Sequence, residues 1–136
     1  MKYILDACSL IAYFNEEEGH SAVASVLKDA ANGKAEVFIH GINLYEFQYD
    51  LLKSCDKNLA EETMKVFENL PVGVIDVVGK KLREEAARFK VSYKISVADS
   101  FALATAKIED ATLVTADHHE FDVIDEANEI AILWFR

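Results

Sequence analysis

The segment Lys2-Tyr3-Ile4-Leu5-Asp6 is a short run of β-favouring residues that stops at a carboxylate. Such a run is typical of a buried strand in an α/β sheet, whose ligands gather at the carboxyl ends of the strands. Runs of this kind recur and alternate with longer segments of helical period, which predicts an α/β fold with a mainly parallel sheet. The predicted strands are Lys2–Leu5, Glu36–Ile39, Gly73–Asp76, Thr112–Thr115 and Ile130–Trp134. The predicted helices are Gly19–Asn32, Asn43–Lys53, Leu59–Leu70, Val77–Lys90 and Val97–Lys107.

Composition is that of an ordinary globular protein, with 136 residues, 51% of them hydrophobic and 28% charged. Chain length fits one domain over residues 1–136, and we find no repeat or linker that would divide it. Cys8 and Cys55 are too few to predict a disulfide framework. The apolar run before Asp6 is far shorter than a signal peptide or a membrane span. We therefore expect a cytoplasmic protein.

Four acidic residues follow predicted strands or begin predicted helices. Asp6 directly follows the first strand, and Asp117 lies two residues beyond the strand that ends at Thr115. Glu46 and Asp99 fall in the first turns of their predicted helices. Because the carboxyl ends of parallel strands share one edge of a sheet, all four carboxylates are expected to meet there.

Such a meeting is costly without a cation. Two carboxylates about 5 Å apart repel by roughly 3 kcal/mol at an effective dielectric near 20. Oxygen ligands without a matched set of cysteines or histidines favour Mg²⁺ or Mn²⁺. A site of this kind hydrolyses phosphodiester bonds by lowering the pKa of a water molecule and stabilising the leaving oxygen. The acids therefore predict a metal-dependent nuclease.

Each acid also has a structural interpretation. Ser96-x-x-Asp99 and Asn43-x-x-Glu46 have the spacing of capping boxes, so both acids could serve only to cap helices. Asp6 and Asp117 could be the N-caps of the segments that follow their strands. The joint placement of all four favours a site over four separate caps.

Charge is the main observation against a nuclease, because a net charge of −10 opposes binding to phosphates. Basic residues are nevertheless concentrated in residues 80–94, where the local net charge is +4. This basic stretch could hold a phosphate backbone, or it could simply be a solvated helix face. Its basic residues are Lys80, Lys81, Arg83, Arg88, Lys90 and Lys94.

Four blocks of sequence together resemble the PIN-domain ribonucleases, most closely the VapC-type toxins of toxin–antitoxin pairs. They are Leu5–Ala12 (LDACSLIA), Ile42–Phe47 (INLYEF), Ala98–Ala106 (ADSFALATA) and Leu113–Asp117 (LVTAD), followed by Phe121. Each block alone is weak, but the four occur in the order of the family and cover nearly the whole chain.

The resemblance implies a three-layer α/β/α sandwich around a mainly parallel sheet of about five strands. It implies a Mg²⁺- or Mn²⁺-dependent endoribonuclease whose metal-binding acids are Asp6, Glu46, Asp99 and Asp117. Thr115 would be the hydroxyl residue that orients the site. Proteins similar to this one form homodimers and are held inactive by a partner antitoxin, and their substrate is RNA.

Two positions depart from the family pattern. Ala7 and Cys8 stand where a serine or threonine is frequent, which leaves Ser9 as the nearest hydroxyl. His118 stands where a basic residue often follows the last aspartate, which puts a phosphate contact from that position in doubt. Cys8 lacks a histidine at a telling spacing and is not expected to be a nucleophile. His118 and His119 are adjacent and are more consistent with surface residues than with a transition-metal site.

Other functions remain open on the sequence alone. A catalytically silent PIN-like module for protein interaction would also fit the net charge of −10 and the missing hydroxyls. Another Mg²⁺ phosphoryl-transfer enzyme fits less well, because the chain has neither a DxD motif after the first strand nor a P-loop. Tyr45 and Tyr49 lie at helical spacing with Phe47 and favour the core or a dimer interface over a surface that stacks bases.

Overall fold

The computed structural model describes residues 1–136 and contains five strands and seven helices. The strands are β1 (Lys2–Leu5), β2 (Glu36–His40), β3 (Gly73–Ile75), β4 (Thr112–Thr115) and β5 (Ala131–Trp134). The helices are α1 (Ala7–Asn15), α2 (His20–Ala31), α3 (Gly41–Ser54), α4 (Lys57–Glu68), α5 (Lys80–Ser92), α6 (Val97–Ile108) and α7 (His118–Glu126).

All five strands are parallel and lie in the order β3-β2-β1-β4-β5. The central strand β1 pairs Leu5 with Ile39 on one side and with Val114 on the other. Asp6 follows Leu5, and Thr115 follows Val114, so both side chains lie at the same edge of the sheet. The predicted parallel sheet is therefore confirmed, and it contains no antiparallel strand.

Each face of the sheet is covered by its own hydrophobic core, because neighbouring residues of a strand point to opposite faces. Leu5 and Val114 pack into one core, with side chains from α1, α2, α3 and α4. Ile4 and Leu113 pack into the other, with side chains from α5, α6 and α7. All four of these strand residues are fully buried, as expected for the centre of a parallel sheet. The predicted three-layer α/β/α architecture is confirmed.

Two helices, α1 and α7, were not predicted. Each has nine residues and begins within two residues of a strand end, too short for a clear helical period. The helix expected from Val77 begins instead at Lys80, because Val77 and Val78 continue as an exposed loop to Gly79, the N-cap. No helix of the structure is both long enough and apolar enough to cross a membrane.

Candidate active site

Asp6 is buried where β1 passes into α1, and the protein supplies donors to both of its carboxylate oxygens. Thr115 Oγ1 donates to Oδ2 over 2.6 Å. The Ser9 backbone N–H donates to Oδ1 over 2.8 Å, which makes Asp6 the N-cap of α1, and Ser9 Oγ lies 2.8 Å from the same oxygen. Asp6 thus has the capping role that the sequence allowed, and the Thr115 hydroxyl orients its other oxygen. The single proton of the Ser9 hydroxyl is shared between Asp6 Oδ1 and the Val114 carbonyl, which lies 2.5 Å from Ser9 Oγ.

Thr115 links Asp6 to Asp117. While its hydroxyl donates to Asp6, its Oγ1 accepts a hydrogen bond from the Asp117 backbone N–H over 3.1 Å. Asp117 is in turn the N-cap of α7 and accepts from the Glu120 backbone N–H over 3.2 Å. The orienting position predicted for Thr115 therefore has a physical basis here, because one buried hydroxyl contacts both strand-end aspartates.

Glu46 lies on α3, which begins two residues earlier than predicted. Its N-cap is His40, whose Nδ1 accepts from the Ile42 backbone N–H, so the alternative interpretation of Asn43 and Glu46 as a capping box does not hold. The earlier start also places Glu46 in the second turn of α3 instead of the first. Glu46 is partly buried, and no hydrogen bond from the protein stabilises its carboxylate.

Asn43 ties α3 to α6. Its side chain is fully buried, and its Nδ2 donates to the Ala98 carbonyl over 2.9 Å, next to Asp99. Its Oδ1 is buried and has no hydrogen-bond partner. Glu46 lies one turn beyond Asn43, so this hydrogen bond joins the two helices that carry Glu46 and Asp99 close to both acids.

Asp99 lies in the first turn of α6 and is 9% exposed. Ser96 is the N-cap and accepts from the Asp99 backbone N–H over 3.1 Å, which is one half of the predicted capping box. Burial raises the pKa of the Asp99 carboxyl to about 7, although the Ser96 side chain opposes this rise. A carboxyl so far from its ordinary pKa, in a group of acids, is typical of a functional site.

The negative charges of the acids repel one another, and after burial this repulsion contributes to the raised pKa values of Asp6, Glu46 and Asp99. The pKa of Asp6 is raised chiefly by burial and further by Asp117, against the hydrogen bonds from Thr115 and Ser9. The pKa of Glu46 is raised by burial and by the charges of Asp6 and Asp117. The charges of Asp6, Asp117 and Glu46 all add to the rise at Asp99. The structure therefore brings the four predicted acids near one another at the carboxyl edge of the sheet.

A divalent cation fits this group by donor chemistry, since all the convergent ligands are carboxylate oxygens. A bound cation would also remove the repulsion that raises these pKa values. In the described conformation, no three of the acidic, histidine or cysteine side chains are gathered closely enough to bind one ion together. Binding would thus require side chains to close around the ion, and Glu46 has no hydrogen bond that prevents such a movement.

Two residues beside the acids, Cys8 and His118, are poorly suited to nucleophilic or transition-metal chemistry. Burial, followed by the charge of Asp6, raises the pKa of the Cys8 thiol to about 12, so the reactive thiolate is absent near neutral pH. The His118 ring stacks on Trp134, with 3.9 Å between ring centroids. Its two nitrogens contact the Asp122 carboxylate and the Arg136 carbonyl, so neither is free for a phosphate or a metal.

The PIN domain family model matches residues 3–127. The chain belongs to the PIN domain family. No curated protein sequence matches it significantly. The matched range spans every strand except β5 and contains all four acids.

Solved structures with the same fold include VapBC2 from Rickettsia felis bound to a DNA fragment from its promoter, with 22% identity, a TM-score of 0.77 and 98% of each chain covered. VapBC-1 from nontypeable Haemophilus influenzae has 16% identity and a TM-score of 0.74, and the match covers 99% of this chain and 98% of the other. VapC20 of Mycobacterium tuberculosis, a sarcin–ricin loop cleaving toxin, has 19% identity and a TM-score of 0.62 over 82% and 86% of the two chains. At these identities the likeness shows that the PIN fold is shared.

The sequence does not reveal the contacts that two residues of this PIN domain site make. The sequence gives Ser9 only as the nearest hydroxyl. In the structure its Oγ contacts Asp6, although Ser9 lies beyond Ala7 and Cys8, the positions where a serine or threonine is frequent. Asn43 was interpreted as a cap. Its place three residues before Glu46 was the available signal, but only the packing of α3 on α6 shows that it contacts Ala98.

Proposed function

We propose that this PIN domain, residues 1–136, is a Mg²⁺- or Mn²⁺-dependent endoribonuclease that hydrolyses phosphodiester bonds of RNA. The observation that supports this most is the group of four mutually repelling carboxylates at the carboxyl edge of the sheet. The proposed metal-binding and catalytic acids are Asp6, Glu46, Asp99 and Asp117, with Thr115 as the residue that orients Asp6 and Asp117.

We assign different roles in metal binding to the proposed site residues. Asp6 provides a carboxylate whose orientation is fixed by the Thr115 hydroxyl on one oxygen and the Ser9 backbone N–H on the other. Glu46 and Asp99 provide oxygens whose negative charge is poorly compensated by the protein, which favours a cation. A bound cation would supply charge stabilisation at the phosphodiester and a lowered pKa for a water molecule.

We further propose that the protein is the toxin of a toxin–antitoxin pair, active in the cytoplasm and formed as a homodimer. Several proteins of the same fold were solved as toxin–antitoxin complexes, among them one from Klebsiella pneumoniae. The exposed tyrosines Tyr45 and Tyr49 of α3, with 5.6 Å between their ring centroids, would form part of the dimer interface. An antitoxin is the expected second protein partner.

RNA cleavage by the purified protein tests the proposed chemistry. We expect cleavage with Mg²⁺ or Mn²⁺, none with EDTA, and none by the Asp99→Asn variant, which has nearly the same shape without the charge. Asp122→Asn is the matched control, because Asp122 lies on α7 and contacts His118 instead of the four acids. Equal cleavage by Asp99→Asn and the unmodified protein would contradict the proposal.

A catalytically silent PIN-like module is the second candidate, favoured by the net charge of −10 and by the absence of a gathered ligand set. The two candidates differ in metal binding. An active site should raise the melting temperature as Mn²⁺ is added, because the ion binds only the folded chain. The silent module predicts no such rise, either in the unmodified protein or in Asp99→Asn.

A further inference from the structure

The basic stretch, residues 80–94, has fewer free cations than its sequence suggests. Arg88 bonds both carboxylate oxygens of Glu129 and also contacts Glu85. Lys90 Nζ donates to the Ile95 carbonyl over 2.7 Å, and Lys80 lies 3.9 Å from Glu84. The cations without an ion pair or a hydrogen bond in the structure are Lys81, Arg83 and Lys94.

Of these three, Lys94 alone faces the first turn of α7. It lines an open depression of about 570 Å³ between the end of α5 and the start of α7. Ser92 and Tyr93 lie beside it, and His119, Glu120 and Val123 form the opposite wall. Lys94 is exposed there, whereas the one acid of the lining, Glu120, has a carboxylate oxygen that is buried. We call this feature the Lys94 depression.

The Lys94 depression adjoins the acids through both of its walls. His119 follows Asp117 by two residues, so at most about 7 Å of backbone separates their Cα atoms. Glu120 is bonded through its backbone N–H to the Asp117 carboxylate. On the other wall, Lys94 lies two residues before Ser96, the N-cap of the helix whose first turn carries Asp99. None of the four acids lines the depression, but Lys94, His119 and Glu120 lie within five chain positions of Asp99 or Asp117.

We propose that the Lys94 depression binds the phosphate backbone of the RNA strand next to the bond that is cut. This inference rests on the proposed nuclease function. A chain with a net charge of −10 and four acids at its site repels a polyanion, so the strand needs a positive contact close to that site. His118 cannot supply it, because its ring nitrogens are occupied by Asp122 and Arg136. Lys94 is the free lysine on a concave surface beside the acids.

Binding without cleavage provides the test. Fluorescence anisotropy of a labelled single-stranded RNA is measured with Mg²⁺ in the Asp99→Asn background, over salt concentrations from about 50 to about 200 mM. Adding Lys94→Ala should weaken binding several-fold at low salt and lower the salt slope by about 0.7, the value for one phosphate contact to a single strand. Lys94→Arg should restore both values.

Lys28→Ala is the matched control, because it removes the same charge from an exposed position in the last turn of α2, at the opposite edge of the sheet. The inference is overturned if Lys94→Ala and Lys28→Ala change affinity and salt slope equally. In the active chain, Lys94→Ala should raise KM and leave kcat nearly unchanged, as expected for lost uniform binding. An Asp99→Asn chain that binds no RNA at any salt concentration would contradict the proposed function itself, together with this inference.

Discussion

At the strand ends, the Asp6 carboxylate is contacted by two hydroxyls and a backbone N–H, whereas on α3 the Glu46 carboxylate accepts no hydrogen bond. The first acid is part of the hydrogen-bonded framework of the fold. The Glu46 carboxylate lies at the same edge of the sheet, but no donor from the protein compensates its negative charge. A cation can bind the Glu46 carboxylate without first breaking a hydrogen bond from the protein, so Glu46 is the acid whose placement points most directly to a ligand.

Replacing Glu46 should therefore affect activity far more than folding. We expect Glu46→Gln to reduce RNA cleavage by about a hundredfold or more. Removing a residue that only hydrogen-bonds to a metal ligand costs up to about a hundredfold, and loss of a ligand itself should cost at least as much. The melting temperature of the metal-free chain should stay the same or rise, because a partly buried like charge has been removed. Asp50→Asn, one turn further along α3, is the control and should retain activity. A Glu46→Gln protein that cleaves RNA normally would show that the helix acids are not functional.

Thr115→Val, in contrast to Glu46→Gln, should lower the stability of the fold itself. The change leaves the Asp6 Oδ2 atom and the Asp117 N–H without their partner in a buried place, which costs roughly 1–3 kcal/mol. For a domain of this size that is a fall of about 3–5 °C in melting temperature for each kcal/mol. Thr112→Val, on the same strand, should be nearly neutral, since the Thr112 hydroxyl bonds nothing in the structure. Thermal unfolding without metal measures both variants.

Asn43→Leu tests the link between the two helices. The substitution removes the hydrogen bond to the Ala98 carbonyl, and we expect a cost of about 1 kcal/mol in unfolding free energy. Asn43→Asp should cost more, because an ionised carboxylate cannot donate to Ala98 and adds a negative charge near Glu46. Both values come from urea denaturation. If Asn43→Asp is as stable as the unmodified chain, the contact with Ala98 does not hold α3 on α6.

The raised pKa of Asp99 predicts how stability of the metal-free chain depends on pH. An unfolded aspartate loses its proton near pH 4, whereas folded Asp99 keeps its proton to about pH 7. Between these values the folded chain binds more protons than the unfolded chain, so the contribution of Asp99 to the unfolding free energy falls as pH rises. Asp99→Asn should flatten this fall. Mn²⁺ binding should strengthen over the same range, because the cation displaces the proton, and titration calorimetry at several pH values measures it.

The smallest effect on the fold is expected at the surface of α3. Tyr45 and Tyr49 are 64% and 47% exposed, so they are not core residues. Of the two roles that the sequence favours, core and dimer interface, only the dimer interface remains, and the less favoured base-stacking role stays open. Tyr45→Ser with Tyr49→Ser should convert a dimer to a monomer in light scattering without changing the melting temperature at low protein concentration. A double variant that stays dimeric would place the interface elsewhere.

Much of the fold was predictable because its signals are local. All five strands lie within one residue of their predicted ends, since a parallel sheet buries continuous runs such as Tyr3–Leu5 and Leu113–Thr115. Helices α1 and α7 were missed because nine residues beside a strand end give no clear period. The start of α3 was misplaced because the cap is His40, a residue type that sequence rules do not expect at that position.

The sequence by itself determined the α/β alternation, the parallel sheet and the four acids, because hydrophobic periodicity and the ends of strands depend on residues that are close together in the chain. Only the tertiary structure decided which acids are bonded and which are free. The Thr115 bond to Asp6 and the Asn43 bond to Ala98 join residues that are far apart in the chain. The same holds for the basic stretch, where Arg88 is neutralised by Glu129 and Lys94 remains free beside α7. Contacts of this kind depend on how elements that are far apart in the chain pack together, so they cannot be predicted from local sequence.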